Sequence, residues 1–248
     1  MQVIVEQTAD AAAERVFRLI GEQLGAYPQS VIGLPTGGTP VPVYARLVES
    51  VRAGGTSWAS ATTFNLDEYI GLGPEHPASY AAYMGRHLFD QVDCPPARCH
   101  IPNGLAPDIE QESIRYDRAI AAAGGMDLMF LGLGRNAHIG FNEPGSGFNT
   151  RTRRVSLTAS TLEANGPYFQ ADQRQPSEAI TMGIGTILEA RKIVVLATGH
   201  SKADAVQRMI EGPPNIAVPG SALQRASEVV VVVDADAASG LSSNSVSS

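Results

Sequence analysis

The sequence predicts an α/β fold: one domain built on an open, mostly parallel sheet with helices on both faces. Short and continuously apolar runs, such as 128–131 and 229–233, are typical of strands that are covered on both sides. Segments with apolar residues at helical spacing alternate with these runs along the chain. A length of 248 residues suits one large domain, and no repeat or linker divides it.

The elements follow in strand–helix order from the N-terminus. In the first predicted helix, Val16, Ile20 and Leu24 recur at helical spacing, and Thr8 or Asp10 can cap its start. The predicted helices are 8–24, 41–51, 78–89, 109–123 and 201–210, and the predicted strands are 3–5, 30–34, 62–66, 128–131, 193–197 and 229–233. This alternation indicates a Rossmann-like open sheet.

Two segments depart from the alternation. Residues 145–180 are rich in Gly, Ser, Arg and Asn with weak periodicity, which predicts a lid over a site. Residues 237–248 are mostly Ser, Ala, Gly and Asn, which predicts a disordered tail after a domain that spans 1–236.

Composition limits the classes of function. The net charge of −7, without a basic stripe, argues against a nucleic-acid partner. No window approaches 18 apolar residues and the N-terminus lacks a secretory pattern, so we expect no membrane span and a cytoplasmic protein. Cys94 and Cys99 lack the further ligands that a zinc site needs, so we expect ordinary surface thiols.

The stretch 131–144, LGLGRNAHIGFNEP, follows a predicted buried strand. Gly132 and Gly134 free the backbone for a tight turn or a close approach to a ligand. Asn136, His138 and Glu143 then bring an amide, an imidazole and a carboxylate to the carboxyl end of the strand, a set that can move protons near neutral pH. The alternative is a glycine-rich connection with incidental polar residues.

The turn 35–40 runs from a strand into a helix whose first residue we expect to be Pro40. Its backbone amides and hydroxyls lie at a positive helix end and suit a phosphate, although no Walker lysine follows. The alternative is a tight turn with Thr39 as the helix cap. Lys202, at a later strand-to-helix junction, can add a positive charge.

Asp67 and Glu68 follow a third strand. Acids at such a place are often solvated caps, but a carboxylate there can abstract a proton if partial burial raises its pKa. Loops that leave neighbouring parallel strands converge on one crevice, so we expect these segments to share a site.

The motifs LPTGGTP, FNLDEYIGL, HPASY and GLGRNAHIGFNEP closely resemble those of the glucosamine-6-phosphate deaminases, in order and spacing, as far as about Val233. The related 6-phosphogluconolactonases usually carry Asp-Glu-Arg where this chain has Asp67-Glu68-Tyr69, and they lack the Phe-Asn-Glu-Pro of 141–144.

The resemblance implies isomerisation and deamination of glucosamine 6-phosphate to fructose 6-phosphate and ammonia, without metal or organic cofactor. It implies that Asp67 moves a proton from C2 to C1 of the open-chain sugar. It further implies that His138 assists ring opening while Glu143 and Asn136 orient it. The expected partner is therefore a small amino-sugar phosphate, bound by a monomer or a small homo-oligomer. The implied phosphate-binding residues are Thr36, Gly37, Gly38, Thr39 and Lys202.

Two departures from the family pattern bear on function. Pro167 stands where the family usually has a phosphate-binding arginine. Three consequences are open: Arg174 or another lid arginine compensates, the affinity for phosphate is weaker, or the substrate differs. Arg153 matches a position of the allosteric site of hexameric members, but Val155 replaces a basic residue and the C-terminal extension of those members is absent, so we expect no allosteric activation. The alternative functions are a sugar-phosphate lactonase and a non-catalytic sugar-phosphate sensor.

Overall fold

The computed structural model of the protein describes residues 1–158, 161–163, 166, 169, 175–243 and 245. Its strands are β1 (Gln2–Glu6), β2 (Val31–Leu34), β3 (Thr62–Asn65), β4 (Asp67–Tyr69), β5 (Cys99–His100), β6 (Leu128–Gly132), β7 (Arg153–Ser156), β8 (Glu178–Thr181), β9 (Lys192–Ala197) and β10 (Val229–Asp234). Its helices are α1 (Ala9–Ala26), α2 (Val41–Arg52), α3 (Tyr80–His87), α4 (Ile109–Ala122), α5 (Ile184–Leu188) and α6 (Ala203–Ile210).

The predicted open parallel sheet is confirmed. Seven strands pair in the order β1-β10-β9-β6-β2-β3-β5, and every pairing within this sheet is parallel. Alternate residues of each central strand face opposite sides, as the two-residue period of a strand requires. Phe130 and Val194 pack with α1, α2 and α3, whereas Met129 and Val195 pack with α4, α5 and α6. The predicted helical cover on both faces is therefore present.

A second, smaller sheet does not follow from the sequence patterns. Strands β4, β8 and β7 pair antiparallel in the order β4-β8-β7, and Asp67 lies opposite Thr181. The expectation of a loop at Asp67 is wrong, because these acids continue into a short strand. Likewise, the predicted lid 145–180 is not irregular throughout, since β7 and the start of β8 lie within it. Polar strands this short carry no visible periodicity.

Local signals explain where several elements begin. Thr8 is the N-cap of α1, as predicted, and its side chain accepts a hydrogen bond of 3.1 Å from Ala11 N. Helix α2 begins at Val41, as in the predicted range 41–51, whereas Pro40, expected as its first residue, is its N-cap. A short 3₁₀ turn over His200–Lys202 precedes α6, where the sequence predicts helix from residue 201.

The packed chain extends past the expected domain boundary at residue 236. Ala237 is fully buried, and Leu241 packs against the core on the side of α6. Ser242 N donates a hydrogen bond of 2.7 Å to Glu211. The apolar side chains within this small-residue run hold it against the core. Residues 244 and 246–248 of the expected tail lie outside the described residues.

The described helices include none that combines the length and the apolar character needed to cross a bilayer.

Candidate active site

A cavity of about 710 Å³ opens at the point where the order in which the chain adds strands to the sheet reverses. From β2 the chain adds β3 and β5 on one side, and from β6 it adds β9 and β10 on the other, so the boundary between β2 and β6 is a topological switch point. The loops that leave β9, β6, β2 and β3 meet there. Eight of the nine predicted site residues line the cavity: Thr36, Gly37, Gly38, Thr39, Asp67, Asn136, His138 and Lys202.

The turn after β6 is built around the imidazole of His138. A Cβ placed on Gly134 would lie 2.4 Å from His138 Nε2, so a side chain here would displace the ring. Gly134 N also donates a hydrogen bond of 2.9 Å to His138 O, which closes the turn. Ala137, between them, has a φ of 66°, a conformation that an alanine rarely adopts. The backbone is therefore shaped to bring the ring against the turn.

Glu143, the ninth predicted residue, lies behind His138. Its Oε1 lies 3.4 Å from His138 Nδ1, which is long for a hydrogen bond and shortens readily once the imidazole carries a proton. Asn136 Nδ2 donates to Glu143 Oε2 at 2.7 Å, and Asn136 Oδ1 accepts from His138 N at 3.1 Å. Thr161 Oγ1 donates to Glu143 Oε1 at 2.6 Å. Asn136 and Glu143 thus hold the histidine from two directions.

Hydrogen bonds keep Glu143 ionised. Burial raises the pKa of its carboxyl group, but the donors of His138, Thr161 and Asn136 outweigh it and hold the pKa at about 2. Glu143 is therefore a fixed negative charge near neutral pH.

Asp67 has the opposite environment. It is 5 % exposed, and burial, with a further contribution from the negative charge of Glu68, raises the pKa of its carboxyl group to about 8. A Cβ on Gly140 would lie 3.4 Å from Asp67 Oδ2, so the loop after β6 passes close beside this carboxyl group. Asp67 can therefore gain and lose a proton near neutral pH, as the sequence-based hypothesis requires.

Glu68 has a structural role. Its carboxylate accepts hydrogen bonds from the backbone amides of Tyr69, Tyr80 and Ala81 at 2.8, 2.9 and 2.9 Å. It thereby holds the start of α3 beside β4. The N-cap of α3 is Ser79, and Glu68 adds to it by accepting from two amides of the first turn. Glu68 is buried rather than solvated, and burial raises its pKa to about 7.

The turn between β2 and α2 presents backbone to the cavity. Gly37 has a φ of 97°, which favours glycine, and Tyr83 Oη donates a hydrogen bond of 2.6 Å to Gly37 O. No side chain caps α2, so the alternative in which Thr39 is the helix cap is wrong. Pro40 and Pro42 have no amide hydrogen, and Val41 N and Val43 N donate to Gly38 O and Pro40 O, so an anion would meet the amides of the turn 36–39 rather than those of α2.

Two cations lie beside this turn. Lys202 Nζ donates a hydrogen bond of 2.7 Å to Leu133 O, and burial together with the charge of Arg135 lowers the pKa of Lys202. Arg135 lines the same cavity and is exposed. Two positive charges close enough to disfavour each other are typical of a place that an anion occupies.

Sequence reasoning missed Arg135, although it lies within the motif 132–144. Its position in the middle of a glycine-rich turn gives no periodic signal. Other residues of the cavity wall that were missed are Tyr80, Phe141, Thr161 and Glu163. Pro167 and Arg174, on which the expected change in phosphate binding depends, lie outside the described residues.

Within the described ranges, no three His, Cys, Asp or Glu side chains group as metal ligands.

An open parallel sheet with its ligand cavity at the switch point places the chain among α/β proteins that bind small molecules at strand ends. The chain belongs to the family described as glucosamine-6-phosphate isomerases/6-phosphogluconolactonase, whose sequence model matches residues 5–232.

The chain is similar over nearly its whole length to curated glucosamine-6-phosphate deaminases. It is 49% identical to that of Hahella chejuensis over 245 residues, which cover 97% of this chain and 92% of the relative. It is 51% identical to that of Rhodopirellula baltica over 230 residues, which cover 93% of this chain and 92% of the relative.

Solved structures of this family have the same fold. A monomeric glucosamine-6-phosphate deaminase matches with a TM-score of 0.94 and 41% identity, over 97% of this chain and 100% of that one. A 6-phosphogluconolactonase from Trypanosoma brucei matches with a TM-score of 0.73 at 20% identity, over 97% and 98% of the two chains, and shows that the fold is shared.

Proposed function

We propose that the protein converts glucosamine 6-phosphate and water to fructose 6-phosphate and ammonia. The observation that carries this proposal is that one cavity contains both a buried carboxyl group with a pKa of about 8 and a histidine backed by a carboxylate that stays ionised. The names of similar relatives support the choice of substrate.

Ring opening is the role proposed for His138. The imidazole lies in the cavity wall with Glu143 behind it, so it can transfer a proton at the ring oxygen while its positive form is stabilised by the fixed carboxylate. Asn136 keeps the orientation of both groups.

Proton transfer between carbons is the role proposed for Asp67. In the open-chain sugar, C2 lies next to the aldehyde carbon, so its proton is acidic enough for a carboxylate base. Asp67 removes that proton, and the electron pair of the C2–H bond forms a C1=C2 double bond while the aldehyde oxygen takes up the proton that the C2 ammonium group gives up, which yields an enolamine. Asp67 then returns its proton to C1. The resulting imine at C2 is hydrolysed by water, which releases ammonia and leaves the ketone.

Asp67 must be ionised to act as the base. Its raised pKa means that the empty site favours the protonated form at neutral pH. An ammonium group on C2 of the substrate, placed near this carboxyl group, would favour the carboxylate and lower its pKa. Substrate binding would thus prepare the base.

The phosphate is assigned to the turn Thr36–Thr39, with Lys202 and Arg135 as its positive partners. The place of this turn in the cavity wall and the two mutually repelling cations beside it support this assignment. Arg135 would replace part of the charge that the family's usual arginine supplies at the position of Pro167.

We further propose a monomer that works in the cytoplasm. The similar deaminase with a solved structure is described as monomeric, and the proposed substrate is a charged sugar phosphate that does not cross membranes unaided. Light scattering of the purified protein tests the oligomeric state.

The direct test of activity uses three substrates in parallel: glucosamine 6-phosphate, galactosamine 6-phosphate and 6-phosphogluconolactone. Ammonia and ketose phosphate are measured for the amino sugars, and acid release for the lactone. We expect equal amounts of ammonia and fructose 6-phosphate from glucosamine 6-phosphate. Lactone hydrolysis without ammonia release from either amino sugar would contradict the proposal.

A further inference from the structure

Two thiols outside the cavity lie against each other. The chain has two cysteines in all, and the Sγ atoms of Cys94 and Cys99 are 3.3 Å apart. The prediction of surface thiols is wrong for Cys94, which is buried against the core on the side of α1 to α3, whereas Cys99 is partly exposed. A reagent in solvent can therefore reach Cys99, and Cys94 lies in contact with it.

The chain between them is shaped to bring the two sulfurs together. Pro95 and Pro96 fix their own φ angles, and a single 3₁₀ turn over Pro96–Arg98 folds the chain back to Cys99 in β5. A disulfide needs an S–S distance of roughly 2.0 Å, so the two sulfurs need to approach by only about 1.3 Å. Small side-chain rotations can supply this.

The two thiols are electrostatically unequal. Contact with Cys94 is the main influence that lowers the pKa of Cys99, against the effect of burial. The pKa of Cys94 is raised, by its hydrogen bond with Cys99 and by burial. Cys99 is also the more exposed of the two, so it is the thiol that a peroxide meets first, and a thiolate is the nucleophilic form.

We propose that Cys94 and Cys99 form a redox-active dithiol that a peroxide oxidises to an intramolecular disulfide. The sulfur of the Cys99 thiolate attacks one peroxide oxygen, the O–O bond breaks, and the leaving oxygen departs as water after taking up a proton. Cys99 is then a sulfenic acid. The Cys94 sulfur attacks the Cys99 sulfur, the S–O bond breaks, and a second water leaves with the Cys94 proton. Two thiols lose two electrons, and the peroxide gains them.

The dithiol lies one strand away from the base of the proposed reaction. Cys99 is in register with Thr63 in β3, the strand that leads to Asp67. The hydroxyl of Tyr116 lies 2.8 Å from Asn65 O and 3.0 Å from His100 O, so it ties the residue after Cys99 to the end of β3. Movement of Cys99 on disulfide formation would therefore shift the end of β3 and, with it, the position of Asp67. We expect ammonia release to fall roughly twofold or more. This expectation rests on the proposed function.

The experiment oxidises the reduced full-length protein with a few equivalents of hydrogen peroxide, then alkylates it and measures the intact mass. We expect loss of two hydrogen atoms, no alkylation, and full reversal by dithiothreitol. Two alkylated thiols after oxidation, or a covalent dimer, would overturn the proposal.

Two variants test the order of attack. Cys94→Ser should stop at a sulfenic acid on Cys99, which dimedone traps, and Cys99→Ser should react much more slowly than the wild type. Equal rates for Cys99→Ser and wild type would contradict Cys99 as the nucleophile.

The mass measurement does not depend on turnover, so the two proposals fail separately. A reversible disulfide in a protein that releases no ammonia in either state would overturn the proposed function alone. A reversible disulfide with unchanged ammonia release would overturn the link between the dithiol and Asp67.

Discussion

Asp67, which is buried, and Glu143, which is partly buried, are two carboxyl groups of one site with opposite electrostatics. Burial and the charge of Glu68 raise the pKa of Asp67 to about 8. Burial acts on Glu143 as well, yet its hydrogen bonds hold the pKa at about 2. At Asp67, burial that no donor of the described residues opposes yields a group that exchanges a proton near neutral pH, whereas at Glu143 the donors outweigh burial and leave a permanent charge. Glu68 lies between the two, because burial outweighs its three backbone donors and its pKa is about 7.

The local backbone explains the difference. Asp67 belongs to β4, which pairs with β8, so that the nearby backbone amides are engaged in the sheet. Glu143 follows a turn that brings the side chains of Asn136, His138 and Thr161 to its two oxygens. The strand isolates one acid, and the turn surrounds the other with donors.

The largest effect is expected from Asp67→Asn, which removes the proposed proton carrier but keeps the shape of the side chain. We expect kcat to fall about 1,000-fold, within the range for loss of a general base. KM should change little, because the amide still fills the site. Ammonia release under saturating substrate measures kcat, and near-normal turnover would show that another group moves the proton.

The same variant should alter the pH dependence of stability. Because the folded-state pKa of Asp67 lies above its unfolded value, the folded protein holds an extra proton between pH 3.8 and about pH 8, and stability falls as the pH rises through this window. Asp67→Asn lacks this loss. Thermal unfolding should therefore show that the variant gains in Tm over wild type as the pH rises from 4 to 9. A Tm difference that is constant with pH would contradict the raised pKa.

A smaller effect is expected from Glu143→Gln, which keeps the size of the side chain but removes its charge. Loss of a charge-assisted hydrogen bond costs about 1.5–3 kcal/mol, which is roughly 10–100-fold in kcat. The fall should be greatest where ring opening limits the rate.

The matched control for this variant is Glu228→Gln, at an exposed ion pair with Lys192 before β10. It should leave ammonia release unchanged. If Glu143→Gln behaves like this control, the carboxylate behind His138 has no part in the reaction.

Gly134→Ala tests the positioning of His138 by shape alone. The new Cβ would meet the imidazole at 2.4 Å, so the ring must move. Overpacking of this kind costs about 1–3 kcal/mol, and we expect kcat to fall about tenfold. Gly25→Ala is the control, because nothing lies within 4 Å of its new Cβ, and it should leave kcat unchanged. Equal rates for both variants would mean that ring position does not limit turnover.

The smallest effect is expected from Arg135→Ala. Since Arg135 is exposed, its contact with a phosphate is partly screened and contributes about 1 kcal/mol, so KM should rise about fivefold while kcat stays the same. Inorganic phosphate should inhibit the variant more weakly by a similar factor. Arg18→Ala, at an exposed ion pair on α1, serves as control. A change in kcat without a change in KM would contradict phosphate binding by Arg135.

Much of the fold and the site could be predicted from the sequence because the central strands are continuously apolar and polar residues follow them directly. Asp67, His138 and Thr36 were found in this way. The small sheet was missed because Asp67–Tyr69 is a polar strand whose burial comes from tertiary packing. Arg135 was missed because a single charged residue in a turn forms no periodic pattern in the sequence.

Tertiary contacts also decide the fate of short segments at the surface. Ala237 belongs to a run of small residues that resembles a disordered tail, yet it is buried against the core. Cys94 lies in a proline-rich segment that suggests exposure, yet its thiol faces the core and Cys99. Composition alone does not reveal such packing.

The measurement that tests the central contrast most directly is a ¹³C NMR titration of the substrate-free protein, labelled at the side-chain carboxyl carbon of aspartate. The resonance that disappears in Asp67→Asn identifies Asp67 and needs no assumption about the reaction. We expect a midpoint at about pH 8 for this resonance. A midpoint near the ordinary value of 3.8 would contradict it, because Asp67 would then be a permanent charge like Glu143.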